Sequence, residues 1–333
     1  MDANAHGELT KGLKIPLIAA PMFLVSGVDL VAAACTAGVI GSFPTVNCRT
    51  EDELDAWVAD IQDRLARAAD TSGDAPAPWY PNLVVHRSNP RLMGDLAVLV
   101  RRKPEVVITS VGSPEPVLKQ LHEAGVRVLC DVATVHHAER AIESGVDGLV
   151  LLTAGAGGQT GWLNPLAFVR AVRAFFDGPL VLAGGVSDGA ALFATQAMGY
   201  DLGYMGTKFI ATRESMAKQA YKDLLVASRA DDILLTRAFT GLETNMLRPS
   251  IVAAGLDPDN LPARGKVDIS KDISIESREN RPNRWKDIWS AGHSVSGVDA
   301  VLSVAELVET IRGEYQAALD DFGARISQAA VEE

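Results

Sequence analysis

The stretch "PLVLAGGVSDGAALFATQAMGYDLGYMGT", Pro179–Thr207, decides the fold. An apolar run, "PLVLAGG", ends on two glycines. "DGAALFATQAMG" follows with helical spacing and stops on Gly199. "DLGYMGT" is a second apolar run, ending on Gly206 and Thr207. Strand, helix and strand in this order make a parallel crossover unit. Both strand-like runs are continuous rather than alternating, as in strands covered on both faces.

The same unit recurs towards the N-terminus. Runs at 15–21, 38–43, 80–86, 105–110, 126–132 and 148–154 join those at 179–185 and 201–207. Helical patterns sit between them. Thr50, with Glu53 three residues on, opens one of them as a capping box; "SPEPVLKQLHEAG" and "TVHHAERAIESG" stop on glycine. Eight units predict an α/β fold, a closed (β/α)8 TIM barrel. An open doubly wound sheet is the competing arrangement. It would put a G-x-G-x-x-G turn after the first strand, where this chain reads "AAPMFLVSG".

The period ends near residue 218. The expected organisation is a barrel over 1–218 and a small, mostly helical second domain over 219–289, inserted after the eighth strand on the substrate side. Residues 290–333 then carry an amphipathic C-terminal helix back to the barrel. Trp285 and Trp289 are expected to pack between the two parts.

Composition excludes several functions. The 333 residues are 47% hydrophobic and carry a net charge of −11, with no basic stripe, so nucleic acid is not an expected partner. No run approaches a membrane span. "IPLIAAPMFLV" contains two prolines and follows a polar lead with Glu8, unlike a signal peptide. Cys35, Cys48 and Cys130 have no metal spacing, and the histidines offer no zinc pattern, so no metal is expected. Buried thiols in a reducing cytoplasm are the expectation. The oligomeric state is open, a homodimer being one candidate.

In a TIM barrel the active site lies at the C-terminal ends of the strands. Here those ends carry Pro21 and Met22, Asn82, Thr109 and Ser110, Asp131, Gly184 and Gly185, and Gly206 and Thr207. The sixth strand runs into "TAGAGGQTGW", Thr153–Trp162. Loops after the seventh and eighth strands commonly build a phosphate site, which assigns phosphate to Gly184, Gly185, Gly206 and Thr207. The glycine-rich loop has no Walker lysine and suits a backbone packed against a flat ring. Its Gln159 can donate and accept hydrogen bonds but cannot take a proton near neutral pH. His86, Trp162 and His293 are the expected substrate-side residues.

Together these motifs resemble the nitronate monooxygenase family (formerly 2-nitropropane dioxygenases). These are FMN-dependent TIM barrels related to an FMN-type enoyl-acyl-carrier-protein reductase. The resemblance runs from "IPLIAAPM" through "GTKFIATRES", fades in the second domain and returns at "WSAGHSVSGV". It implies FMN, with Ala20, Pro21 and Met22 along the flavin ring and Asn82 on the flavin or its ribityl chain. Asp131 would lie beside the flavin, where many relatives carry lysine or a neutral residue. Gly157 and Gly158 belong to the family's "AGGH-x-G" loop, and the family's histidine aligns with Gln159. The implied activity is oxidation of alkyl nitronates with O2, Gln159 orienting and polarising the substrate in place of the catalytic histidine. The alternative is an NAD(P)H-dependent flavin reductase of an enoyl thioester or quinone. Either way the partners are a small-molecule substrate and O2 or NAD(P)H. A barrel without flavin, acting on a sugar phosphate as lyase or isomerase, also fits the phosphate loops, although no strand end supplies a Schiff-base lysine.

Overall fold

The computed structural model describes residues 9–262 and 287–331. Strands β1 (Leu17–Ala19), β2 (Ile40–Pro44), β3 (Trp79–Val84), β4 (Val106–Ser110), β5 (Arg127–Val132), β6 (Gly148–Leu152), β8 (Leu180–Ala183) and β9 (Leu202–Met205) form a closed barrel in that order. Each pairs in parallel with the next, and β9 closes on β1 through Ile18↔Tyr204. The predicted (β/α)8 architecture is therefore the one observed.

The apolar runs are continuous because both strand faces are covered. Ile18, Ile40, Tyr80, Ile108, Leu129, Val150, Val181 and Leu202, one from each barrel strand, share a cluster that fills the interior. Val107, Val128, Leu149, Leu151, Leu180 and Leu182 face outward into a larger cluster under the helices. Burying each such side chain contributes about 1.5–3 kcal/mol before entropy is counted.

The helix starts follow their side chains. Thr50 accepts from the Glu53 N–H ahead of helix Glu51–Ser72, and Asp188 accepts from Ala191 ahead of helix Gly189–Met198. The Glu53 carboxylate departs from the predicted capping box. It accepts from the Arg49 N–H rather than from the N-cap itself.

The C-terminal helix, Val304–Val331, packs on helices Gly189–Met198 and Val28–Ala37. Val304, Leu307, Val308 and Ile311 enter the outer core. Among the described residues no helix is long and apolar enough to cross a membrane.

Among the described residues, the segment beyond the barrel holds strands as well as helices. Helices Gln219–Ala227 and Arg248–Ala253 are present, but two strands lie between them, β10 (Ile233–Thr236) and β11 (Thr244–Leu247). They form an antiparallel ribbon, and β11 also pairs with β7 (Gly158–Gln159) inside the glycine-rich loop. The charged stretch 263–286, including Trp285, lies outside the described residues.

Candidate active site

A cavity of about 250 Å³ opens at the C-terminal ends of the barrel strands. Its wall brings together Ala20, Pro21, Met22, Asn82, Asp131, Gly157, Gly158, Gln159, Gly184, Gly185, Gly206 and Thr207.

The loop after β1 is held by Asn47, a buried side chain. Its Oδ1 accepts from Leu24 N–H (2.9 Å), and its Nδ2 donates to the Met22 and Ser26 carbonyls (3.1 and 2.8 Å). These bonds fix Met22 and Phe23 against the cavity. Asn82, from β3, is already engaged. Its Nδ2 donates to the Ile108 carbonyl (3.3 Å) and its Oδ1 accepts from Ser110 (3.1 Å). One N–H of its amide remains for a ligand.

The glycine-rich loop is stapled from two sides. Gly157 packs on the Ala291–Gly292 backbone, where an added Cβ would lie 2.7 Å from the Gly292 nitrogen. Asn245 of β11 donates through Nδ2 to the Ala156 carbonyl (2.7 Å), and Thr244 stands opposite Gln159 in the ladder. Gln159 is thus positioned by backbone pairing, and its side-chain amide has no partner among the described residues.

At the ends of β8 and β9 the backbone is prepared for an anion. Gly185 has φ 78°, a left-handed conformation that suits glycine, and an added Cβ would meet nothing within 4 Å. The N–H groups of Gly185, Gly206 and Thr207 have no acceptor among the described residues. Thr207 Oγ1 accepts from Gly292 N–H (3.0 Å), leaving its own hydrogen to donate.

Two polar groups on the wall stand unpartnered. Asp131 Oδ1, at the end of β5, and Tyr204 Oη, at the end of β9, are covered and make no hydrogen bond. Burial pushes the Asp131 carboxyl up to about 8. Burial first, and then Asp131, raises the Tyr204 phenol well above its usual range. Among the described residues, no histidine, lysine, arginine or glutamate lines the cavity.

A family model for nitronate monooxygenase matches residues 8–314. The chain belongs to the nitronate monooxygenase family. It is 26% identical over 347 aligned residues to a nitronate monooxygenase of Paraburkholderia phytofirmans, covering 93% of this chain and 94% of that one. It is also 26% identical over 263 residues to a (3aS,4S,5R,7aS)-5-hydroxy-7a-methyl-1-oxo-octahydro-1H-indene-4-carboxyl-CoA dehydrogenase of Rhodococcus jostii, covering 79% and 70%. The nitroalkane oxidase of Streptomyces ansochromogenes shares the fold, with a TM-score of 0.78, 23% identity and coverage of 94% and 99%. Membership of the nitronate monooxygenase family makes the chain an oxidoreductase and implies a flavin. It sets aside the sugar-phosphate lyase or isomerase.

Three substrate-side expectations, His86, Trp162 and His293, are not on the cavity wall of this family member. His86 closes a turn instead, its Nδ1 2.7 Å from Ser88 Oγ. Trp162 is 69% exposed. His293 is exposed and rests on the outer side of Gly155, to whose carbonyl its backbone N–H donates (2.9 Å). Its neighbours Ser290, Ala291 and Ser294 do reach the wall, so "AGHSVSG" contributes Ala291 and Ser294 rather than its imidazole.

Other wall residues were not expected. Tyr204, Phe23, Tyr221, Thr240 and Trp289 all line the cavity. Trp289 stacks on Tyr221, with ring centroids 5.0 Å apart, and also faces the site. Tyr204 was legible as the last inward-facing position of β9, but an aromatic in a glycine-rich run reads first as core.

Proposed function

We propose that this chain is an FMN-dependent oxidoreductase that oxidises alkyl nitronates with O2, with Gln159 as the polarising donor. The observation that carries this reading is the free Gln159 amide on a wall that holds no histidine, lysine or arginine among the described residues.

The residues fit FMN. Gly185, Gly206 and Thr207 offer unpartnered donors for its phosphate, and Gly184 completes that turn. Ala20, Pro21 and Met22 on one side and Gly157 and Gly158 on the other give the flat, side-chain-poor walls a ring system needs. The spare Asn82 N–H is available to the ring or its ribityl chain. When bound, FMN would supply a two-electron acceptor that O2 can reoxidise. The purified protein should be yellow; a colourless protein that takes up no FMN would refute the cofactor assignment.

A nitronate is already an anion and needs no base. The Gln159 amide can donate to a nitronate oxygen, a charge-assisted bond of about 1.5–3 kcal/mol. Removing a proton from a neutral nitroalkane is another matter. Asp131 is the single carboxylic acid on the wall among the described residues, and burial keeps it protonated at neutral pH. Alkyl nitronates should therefore reduce the bound flavin much faster than the parent nitroalkanes at pH 7. Nitroalkane turnover that appears only above pH 8 would transfer the base role to Asp131.

Gln159→Ala should lower kcat/KM for nitronates by about 10–100-fold at unchanged flavin content, the loss of one charge-assisted bond. Unchanged kinetics would remove Gln159 from the mechanism. Residues 219–289 serve as the substrate-side unit in this reading, through Tyr221, Thr240 and Trp289. The cytoplasm is the proposed setting, in keeping with free thiols at Cys35, Cys48 and Cys130.

The second reading is an NAD(P)H-dependent flavin reductase of an enoyl thioester or quinone. It is favoured by the relative named as a carboxyl-CoA dehydrogenase and by a wall without a base at Gln159. Anaerobic stopped-flow separates the two. Flavin bleaching by nitronates but not NAD(P)H supports the first reading, and the reverse supports the second.

A further inference from the structure

Asp131 is an unusual group to find at this place. Its Oδ1 is covered and unpartnered, and its Oδ2 also makes no hydrogen bond. No cation on the described wall could balance a charge there. The strands flanking β5 present Thr109 and Ser110 from β4 and Val150 and Leu152 from β6, none of them charged. The titratable groups that feel Asp131 are Cys130, whose thiol burial pushes up to about 12, and Tyr204. Both are neutral across the physiological range. An ionised carboxylate would stand here with one oxygen covered and no cation or donor beside it, which is costly. A neutral acid has one hydrogen to give, and the nearest empty space is the cavity.

We propose that Asp131 meets the bound flavin as a neutral carboxylic acid, donating a hydrogen bond to an acceptor on the ring, so that flavin binding is linked to one proton. The inference rests on the flavin reading above and extends it to the protonation state of the site. Its physical basis is the unpartnered carboxyl on a cation-free wall, and the upward displacement of the Asp131 titration to about 8 agrees with it. Below that pH the acid is already neutral and binding needs no proton. Above it, each binding event must also take one up, so affinity falls as pH rises.

The test uses the full-length chain freed of flavin and titrated with riboflavin, which has no phosphate to titrate, by quenching of flavin fluorescence. The Kd is expected to rise about tenfold between pH 7 and pH 9. Calorimetry at pH 9 in buffers of different ionisation enthalpy should show uptake of close to one proton per riboflavin. Asp131→Asn, which keeps a donor and cannot ionise, should bind with a flat pH profile. Tyr204→Phe should retain the wild-type profile. The flavin-free protein supplies a second readout. A folded-state pKa raised above the unfolded value means the folded state binds more protons between about pH 4 and 8. Stability contributed by Asp131 is therefore lost as pH climbs through that window. Asp131→Asn should lose less Tm than wild type over the same range.

A wild-type Kd that does not change with pH, or an Asp131→Asn variant with the wild-type profile, would overturn the proton link while leaving the flavin reading intact. Loss of the profile in Tyr204→Phe would assign the proton elsewhere and also overturn it. Failure of both riboflavin and FMN to bind at any pH would overturn the flavin reading and the link with it.

Discussion

Gly185→Val is expected to give a folded protein without flavin. Gly185 sits just past β8 with φ 78°. A β-branched side chain is a genuine outlier in that conformation, at a cost of about 1–2 kcal/mol. An added Cβ meets no protein atom within 4 Å, so the barrel itself is not forced apart. The side chain would instead occupy the ligand's space beside the unpartnered N–H groups of Gly185, Gly206 and Thr207. Flavin affinity should fall by about 100-fold or more, from steric exclusion together with loss of a charge-assisted bond. Gly185→Ala should fall between. The neighbouring Gly184 is a different case, since an added Cβ would lie 2.5 Å from Thr153 Oγ1 and disturb the fold first. The measurements are the flavin-to-protein ratio from absorbance and the Tm of the flavin-free form. A valine variant that retains stoichiometric flavin at wild-type affinity would move the phosphate away from the end of β8.

The barrel was readable because each strand must satisfy two apolar layers at once, and that demand leaves an unbroken run. The strand ends were readable with it, since a closed parallel barrel has one face where ligands can reach the backbone. Gly185, Asp131 and Gln159 follow from that rule alone. The ribbon β10–β11 was not readable. Four residues give no measurable period, and the part "TNML" plays at the site comes through its pairing with Gly158 and Gln159, far earlier in the chain. Asn47 escaped for the same reason. It looks like an ordinary loop residue, and its role lies in bonds to Met22, Leu24 and Ser26. The histidines misled because residue type suggests chemistry more strongly than position does. His86 spends its ring nitrogen on Ser88, and His293 lies on the wrong side of the glycine loop.

Arg91→Ala is expected to cost about 3–5 kcal/mol of stability, by removing one partner of a buried ion pair. Asp95 is fully buried, and Arg91 Nη2 donates to its Oδ1 at 2.6 Å. Burial raises the Asp95 carboxyl above its ordinary range, with Arg91 the main opposing influence. A raised folded-state pKa costs stability as pH climbs past the unfolded carboxylate value. Without Arg91 the rise is larger, so the deficit should be greater at pH 8 than at pH 5. Asp95→Asn in the Arg91→Ala background should recover part of the loss and flatten this dependence; a deficit independent of pH would mean that the lost charge is not its cause. The damage should also reach the cavity. Arg91 donates to the Cys48 and Thr50 carbonyls, and so braces the turn that carries Asn47. Asn47 in turn holds the loop that places Met22 and Phe23 on the wall. Flavin affinity should therefore weaken in Arg91→Ala even where the protein remains folded, and Asp95→Asn should restore stability more fully than affinity. Asparagine removes the stranded charge, whereas only arginine bonds the turn.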